Sequence, residues 1–112
     1  MIVYCSLDSD FSDPILKEFQ QQTGILVRGK FDVESNKTVG LVNRILLERN
    51  RPRCDVFWNN EIVHTLRLVE QSLTAPCPAP GTDGIPGNYR SASGFWYGIA
   101  ARARVLLVHS GL

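Results

Sequence analysis

An α/β fold built on a parallel sheet is predicted by the alternation of two hydrophobic patterns along the 112 residues. Three short apolar runs rich in β-branched and aromatic residues predict strands: "IVYCS", "ILVRGKF" and "CDVFW". A segment with helical periodicity follows each run. Strands separated by helices of this length imply right-handed crossovers, and therefore a parallel sheet covered by helices.

The elements alternate in strict order along the chain. The predictions are a strand over 2–6, a helix from the cap-rich segment 8–14 to Thr23, a strand over 25–31, a helix over 37–50, a strand over 54–58 and a helix over 61–71. Gly24 follows the first helix and is typical of a helix C-terminus. Gly40 lies inside the second helix at a cost of about 1 kcal/mol relative to alanine, which suggests that another group packs closely against it.

The last third of the chain has a different composition. Residues 72–94 contain four prolines, four glycines and few apolar residues, which predicts a long surface loop. Two apolar runs, 95–101 and 104–110, predict strands after that loop. No domain boundary is indicated, so residues 1–112 are predicted to form a single domain.

Composition excludes several classes of protein. The hydrophobic fraction of 44% and the charged fraction of 21% are those of an ordinary folded chain and argue against disorder. A net charge of +1 disfavours nucleic-acid binding through a basic face, and no apolar run is long enough to cross a bilayer. No export signal is recognisable at the start of the sequence.

The cysteines predict neither a zinc site nor a disulfide framework. Cys5, Cys54 and Cys77 make an odd count without CxxC spacing. Cys5 and Cys54 lie in apolar strand segments and are expected to be buried thiols. Cys77 lies in the proline-rich loop and is expected to be exposed and the most reactive of the three.

Polar residues collect where the three predicted strands end, at segments 5–8, 32–38 and 58–61. In an open parallel sheet, ligands bind outside the carboxyl ends of the strands, close to helix N-termini. Backbone N–H groups at such ends favour anions, whereas the carboxylates of Asp8, Glu34 and Glu61 favour a cation and could hold a hard metal ion. The three corners together predict a ligand site.

Each corner residue also has a purely structural interpretation. Asn59 or Asn60 is able to cap the third helix, and Glu61 is favourable in a first helical turn. Motifs for catalysis are missing: the sequence has no GxGxxG, no phosphate-binding GxxxxGK[ST] and no GxSxG, and His64 and His109 are far apart. No enzymatic activity is predicted.

Four segments, spread over residues 2–108, carry a family resemblance that extends over essentially the whole chain: "IVYCSLDSDFSDPILKEFQQQTGILV", "VESNKTVGLVNRILLERNRPRCDVFWNNE", "LTAPCPAP" and "GFWYGIAARARVLLV". In content and order they resemble the N-terminal lobe of the bacterial extracellular solute-binding proteins of ABC importers, ferric-iron-binding type. The resemblance implies a three-layer, parallel-sheet lobe of the type II periplasmic-binding-protein fold, incomplete over these residues. It also implies a periplasmic or extracellular protein that is not an enzyme and that delivers a solute to a membrane permease.

The resemblance places eight residues at the ligand cleft: Cys5, Ser6 and Asp8 in the first loop, Lys37 and Thr38 in the second, and Asn59, Asn60 and Glu61 in the third. Ferric-binding members supply a histidine from the first loop and a glutamate from the third, where this sequence has Asp8 and Asn60. Asp8 and Glu61 are then the expected metal ligands. Ferric iron is expected as the ligand and not as a cofactor, with an oxyanion or phosphonate as the other expected solute.

The family's second lobe and its iron-binding tyrosine pair have no counterpart in these 112 residues. The resemblance therefore implies weak or no binding by the lobe alone, with residues 95–110 forming strands that cross toward a second lobe. Apolar strands without partners favour self-association, so a homodimer is predicted. The alternative function is a stand-alone, self-associating interaction or regulatory module that reuses the lobe.

Overall fold

The computed structural model of the chain describes residues 1–32 and 37–111, and for residues 37–39 it describes the backbone alone. The described structure falls into two compact units, Met1–Thr74 and Ala75–Leu112. Each unit is described by itself. The assignment of residues 1–112 to a single domain stays a prediction.

The first unit alternates strands and helices as predicted. Its elements are β1 (Ile2–Cys5), α1 (Ser9–Thr23), β2 (Arg28–Phe31), α2 (Lys37–Leu47), β3 (Val56–Trp58) and α3 (Ile62–Glu70). The strands form one sheet in the order β2-β1-β3, and both pairings are parallel. The predicted α/β fold with a parallel sheet is confirmed.

The helices cover both faces of this sheet. The crossover through α1 leads from β1 to β2 on one side of it, and the crossover through α2 leads from β2 back past β1 to β3 on the other side. Because both connections are right-handed and run in opposite directions across the sheet, the two helices lie on opposite faces. Contacts agree with this placement. Tyr4 bonds to Glu48, just beyond the end of α2. A Cβ built on Gly29, which is level with Val3 in β1, would lie 3.6 Å from Leu16 of α1. The result is a three-layer unit.

The buried apolar core joins the central strand to the helices. Its members are 3% exposed or less: Val3, Tyr4, Cys5, Leu41, Val42 and Leu68. Successive residues of β1 point to opposite faces, and all three of its core residues are buried because each face is covered by a helix. This is why the first strand is a continuous apolar run in the sequence.

Two glycines do what the sequence indicates. Gly24 ends α1 in the left-handed conformation, at φ 73°, and its N–H donates to the carbonyl of Gln20. A Cβ at Gly40 would lie only 2.7 Å from Oδ1 of Asp32. The other oxygen of that carboxylate accepts a hydrogen bond from the backbone N–H of Leu41 at 3.1 Å. Glycine at position 40 therefore lets Asp32 bind the backbone of α2.

A polar network ties the central strand to the C-terminal end of α2. The hydroxyl of Tyr4 donates to Oε2 of Glu48 at 2.8 Å, and Nε of Arg44 donates to Oε1 of Glu48 at 3.0 Å. Burial raises the pKa of Glu48, but hydrogen bonds from Tyr4 and Arg44, together with the charges of Arg44 and Arg53, outweigh it and leave the pKa below its usual value. Burial and the neighbouring carboxylate raise the pKa of Tyr4.

The lowered pKa of Glu48 predicts a loss of stability in acid. The ionised carboxylate stabilises the fold fully above the unfolded-state pKa of about 4.3, and this stabilisation disappears as the pH falls through the lower folded-state pKa. In Glu48→Gln, the free energy of unfolding should decline less between neutral pH and about pH 3 than in the parent chain. Urea denaturation at both pH values measures this. Glu70→Gln, at an exposed position, is the control and should keep the parent's slope; an equally steep decline in Glu48→Gln would contradict the prediction.

The second unit is irregular and is held by turns. It contains one 3-10 helix, Gly87–Tyr89, and one isolated antiparallel bridge between Arg90 and Tyr97 in the part of the chain described. Residues 72–94 were predicted to be a long loop, and apart from the 3-10 helix they form no regular element.

The strands predicted over 95–101 and 104–110 are wrong as secondary structure. Only Tyr97 takes part in a bridge, and residues 99–108 have no strand assignment. Apolar, β-branched residues form a strand only when a neighbouring strand pairs with them. Among the described residues no strand pairs with this segment, and Val105, Leu106, Leu107 and Val108 remain between 74% and 94% exposed.

The cysteine environments follow the sequence with one exception. Cys5 is buried and Cys77 is exposed, as expected. Cys54 was expected to be buried and is only half-buried, because it precedes the edge strand β3. Burial of its thiol nevertheless raises the pKa of Cys54 to about 11. No helix in the described residues is long and apolar enough to span a membrane.

Candidate functional site

The first and third corners lie side by side at one edge of the sheet. Cys5 is level with Trp58, and the N–H of Ser6 donates to the carbonyl of Trp58 at 2.9 Å. The chain continues from β1 into α1 and from β3 into α3, which packs against α2 on the opposite face of the sheet. The point between β1 and β3 is therefore the switch point of the sheet. Ligands bind in such crevices in open α/β folds. The topology thus brings segments 6–8 and 59–61 close together at this edge of the sheet.

The first corner combines buried and exposed groups. Cys5 and Ser6 are 0% and 1% exposed, so their side chains belong to the interior of the unit. The hydroxyl of Ser6 has no hydrogen-bond partner among the described residues. Asp8 is exposed and directly precedes α1, and its carbonyl accepts the N–H groups of Phe11 and Ser12. The side chain of Asp8 makes no capping hydrogen bond to this helix.

The third corner is a closed hydrogen-bond arrangement around Asn59. Its Oδ1 accepts the N–H of Glu61 at 2.6 Å, and its Nδ2 donates to the carbonyl of Glu61 and to Oγ1 of Thr65. Glu61 is the N-cap of α3, where one carboxylate oxygen accepts the N–H of Val63 and the other that of His64. The prediction that Asn59 or Asn60 caps α3, with Glu61 in its first turn, is wrong, because the N-cap is Glu61. Asn60, which lies between Asn59 and Glu61 in the sequence, is exposed.

His64 was not among the predicted site residues, but it lies against the third corner. Its Nε2 is 3.8 Å from Oε2 of Glu61, and its Nδ1 is buried without a hydrogen-bond partner in the described structure. The His64 side chain is therefore partly buried beside Glu61. The spacing of Glu61 and His64, three residues apart at a helix start, is the sequence signal that could have indicated their contact.

β2, which precedes the second corner, lies on the other side of the central strand from β3. Phe31, the last residue of β2, is level with Cys5. Lys37 and Thr38 begin α2, but their side chains lie outside the described residues. Their place in the ligand set stays a prediction.

Within residues 1–32 and 37–111, the structure contains no cluster of three or more histidine, cysteine, aspartate or glutamate side chains that could hold a metal ion. The first corner contains the carboxylate of Asp8 and the third corner that of Glu61, whereas Glu34 lies outside the described residues. A hard metal ion bound there would need further oxygen ligands, from water or from other groups. The metal-ligand role of Asp8 and Glu61 stays a prediction.

The fold is that of ferric-ion-binding proteins of the type II periplasmic-binding-protein class. Three solved structures match it with a TM-score of 0.72, over 87% of this chain. They are the apo ferric ion-binding protein A of Pasteurella haemolytica, at 26% identity, a Bordetella ferric binding protein, at 28%, and the ferric iron-binding protein A of Mannheimia haemolytica in an open conformation, at 26%. The predicted fold class is confirmed.

Sequence comparison agrees with the structural comparison. The chain is 26% identical over 113 residues to iron uptake protein A1 of Synechocystis, a match that covers 97% of this chain. The chain spans about 29% of the length of that relative, and 29% to 30% of the length of the three solved proteins. No protein-family model matches it. The resemblance to the ferric-iron-binding type of solute-binding protein is confirmed by these relatives.

Proposed function

We propose that this chain is the solute-binding lobe of an ABC importer binding protein, with ferric iron as its preferred solute. The observation that carries the proposal is the meeting of the first and third corners at the switch point between β1 and β3. The relatives are named for iron uptake and for ferric ion binding, which supports iron over an oxyanion or a phosphonate. None of those names denotes an enzyme, and iron in this role is cargo rather than a cofactor.

The chemistry of the corners fits a hard cation held loosely. Asp8 and Glu61 both offer carboxylate oxygens, which ferric iron prefers. Each oxygen of Glu61 already accepts one backbone N–H, so the carboxylate is fixed in place and shares its charge with the helix end. One lobe cannot enclose a solute, and we expect weak binding by this chain alone. Delivery to a membrane permease and a periplasmic or extracellular location are parts of the same proposal.

Titration with ferric nitrilotriacetate tests the proposal. Paramagnetic iron broadens amide NMR signals of nearby residues, and the broadening should be strongest at residues 5–8, 36–38 and 59–61. Asp8→Asn and Glu61→Gln should each reduce it, whereas Asp13→Asn, an exposed carboxylate of α1 paired with Lys17, should not. Broadening confined to residues 75–94, or equal broadening in all variants, would overturn the proposal. The oxyanion alternative is tested by adding phosphate or methylphosphonate without iron. If either is the solute, the amide NMR signals of the same three corners should shift.

A second candidate function is self-association, favoured by the apolar segment Val105–Val108. Four consecutive apolar side chains are between 74% and 94% exposed there. Such a segment is able to pair with a second copy and to bury its side chains against it. Sedimentation should then show a homodimer that Leu106→Lys combined with Leu107→Lys converts to a monomer. A folded monomer of the parent chain at high concentration would exclude this candidate.

A further inference from the structure

The second unit contains an open groove that the proposed iron site does not use. Its volume is about 700 Å³, within the range of small-molecule sites. We call it the Arg90 groove, after the cationic side chain that lines it. Other lining residues include Pro78, Pro80, Asp83, Ser91 and Tyr97. The lining combines apolar proline rings with charged and hydroxyl groups, which suits a small organic molecule that has one polar end.

Hydrogen bonds join two lining residues of the Arg90 groove, Gly94 and Tyr97, to Cys77, which precedes the lining residue Pro78. The hydroxyl of Tyr97 donates to the carbonyl of Cys77 at 2.8 Å, and the N–H of Cys77 donates to the carbonyl of Gly94 at 3.0 Å. Arg90 itself lies in the antiparallel bridge with Tyr97. A groove with fixed walls loses little conformational freedom when a ligand enters it.

The guanidinium of Arg90 has donors to spare. Its Nη1 donates to the carbonyl of Thr82 at 3.2 Å and lies 3.9 Å from a carboxylate oxygen of Asp83. A guanidinium carries five N–H donors in a planar fork, which matches the two oxygens of a carboxylate. The Asp83 side chain is fully exposed, so this ion pair is weak and easily replaced. Arg90 is about one-third exposed and accessible from the groove.

We propose that the Arg90 groove binds the carboxylate of a small organic acid. Two oxygens of the carboxylate pair with the guanidinium of Arg90 and displace Asp83. The hydrocarbon part of the acid packs against Pro78, Pro80 and Tyr97. This site is independent of the proposed iron site, because it is formed wholly by residues 78–97 of the second unit.

Benzoate is a suitable probe, because it joins a carboxylate to a flat apolar ring. We expect it to shift amide NMR signals within residues 78–97, and we expect benzamide, its uncharged analogue, to bind at least about tenfold more weakly. Inorganic phosphate, which has no apolar part, should also bind more weakly than benzoate. Equal binding of benzoate and benzamide, or tighter binding of phosphate, would overturn the proposal.

Variants test the two charges of the groove in opposite directions. Arg90→Gln should weaken benzoate binding at least about tenfold, and Arg104→Gln, at an exposed position, should leave it unchanged. Asp83→Asn removes the competing carboxylate and should tighten binding by about twofold to fivefold. Arg90→Gln also loses the bond to Thr82, so a disordered loop could by itself weaken binding. Asp83→Asn keeps that bond, and weaker binding in this variant would overturn the proposal.

Discussion

Replacing Leu68 by alanine is expected to lower the free energy of unfolding by about 2–5 kcal/mol, the range for a leucine removed from a packed core. Leu68 is 2% exposed and lies in α3, which packs against α2. Alanine would leave a cavity between the helices in addition to the lost burial of the side chain. Domains of this size are stable by about 5–15 kcal/mol in total, so the variant should lose a large part of its stability.

Leu66 provides a matched control in the same helix. It is 40% exposed, and Leu66→Ala makes the same chemical change with the same effect on helix propensity. We expect it to cost less than about 1 kcal/mol, because much of its surface is already in contact with water. Urea denaturation followed by circular dichroism measures both variants. Similar losses in the two would show that α3 does not pack on the core as described.

Local sequence signals predict the first unit well, because each of its strands and helices has a recognisable hydrophobic periodicity and recognisable residues at its ends. β1 is apolar on both faces, α1 is followed by Gly24 in the left-handed conformation, and Gly40 marks the contact with Asp32. These features depend on residues close in sequence or on burial. The parallel order then follows from the alternation of strands and helices.

Features that need a distant partner could not be predicted in the same way. Nothing in the sequence links Tyr4 to Arg44 and Glu48, which lie 40 and 44 residues away. The apolar run at 104–110 has the composition of a strand, but composition supplies no neighbour for it to pair with. The polar network and the unpaired apolar run both depend on contacts between residues far apart in the sequence, and local patterns hold no information about such contacts.

The closeness of the first and third corners could be predicted from the sequence, whereas the hydrogen bonds within them could not. Strand ends in a parallel sheet meet at one edge whatever their side chains are, so the first and third corners could be placed together. Asparagine is a common N-cap residue, so the sequence predicted that Asn59 or Asn60 caps α3 and that Glu61 lies in its first turn. That prediction is wrong, because the N-cap is Glu61. Only the backbone geometry of the corner makes Glu61 the cap and Asn59 its support.

Removing the side chain of Asn59 should therefore disturb the third corner more than any other single change in it. Asn59→Ala loses the bonds to the N–H and carbonyl of Glu61 and to the hydroxyl of Thr65. These polar groups lie in a partly buried corner, and we expect a loss of about 1–3 kcal/mol in the free energy of unfolding. Urea denaturation measures the loss, with the exposed Asn43→Ala of α2 as the control, for which we expect almost no change or a slight gain.

Comparing Asn59→Ala with Asn59→Asp separates two roles of Asn59, which are holding Glu61 in place and contacting the solute. Asn59→Asp keeps an oxygen that is able to accept the N–H of Glu61, but it loses the donor to Thr65 and adds a charge beside Glu61. If Asn59 acts by holding Glu61 in place, Asn59→Asp should retain more stability than Asn59→Ala, and iron-induced broadening at residues 59–61 should follow stability through the series. If Asn59→Ala unfolds no more easily than Asn43→Ala, the hydrogen bonds of Asn59 do not hold the corner together, and Glu61 is positioned by its own capping bonds alone.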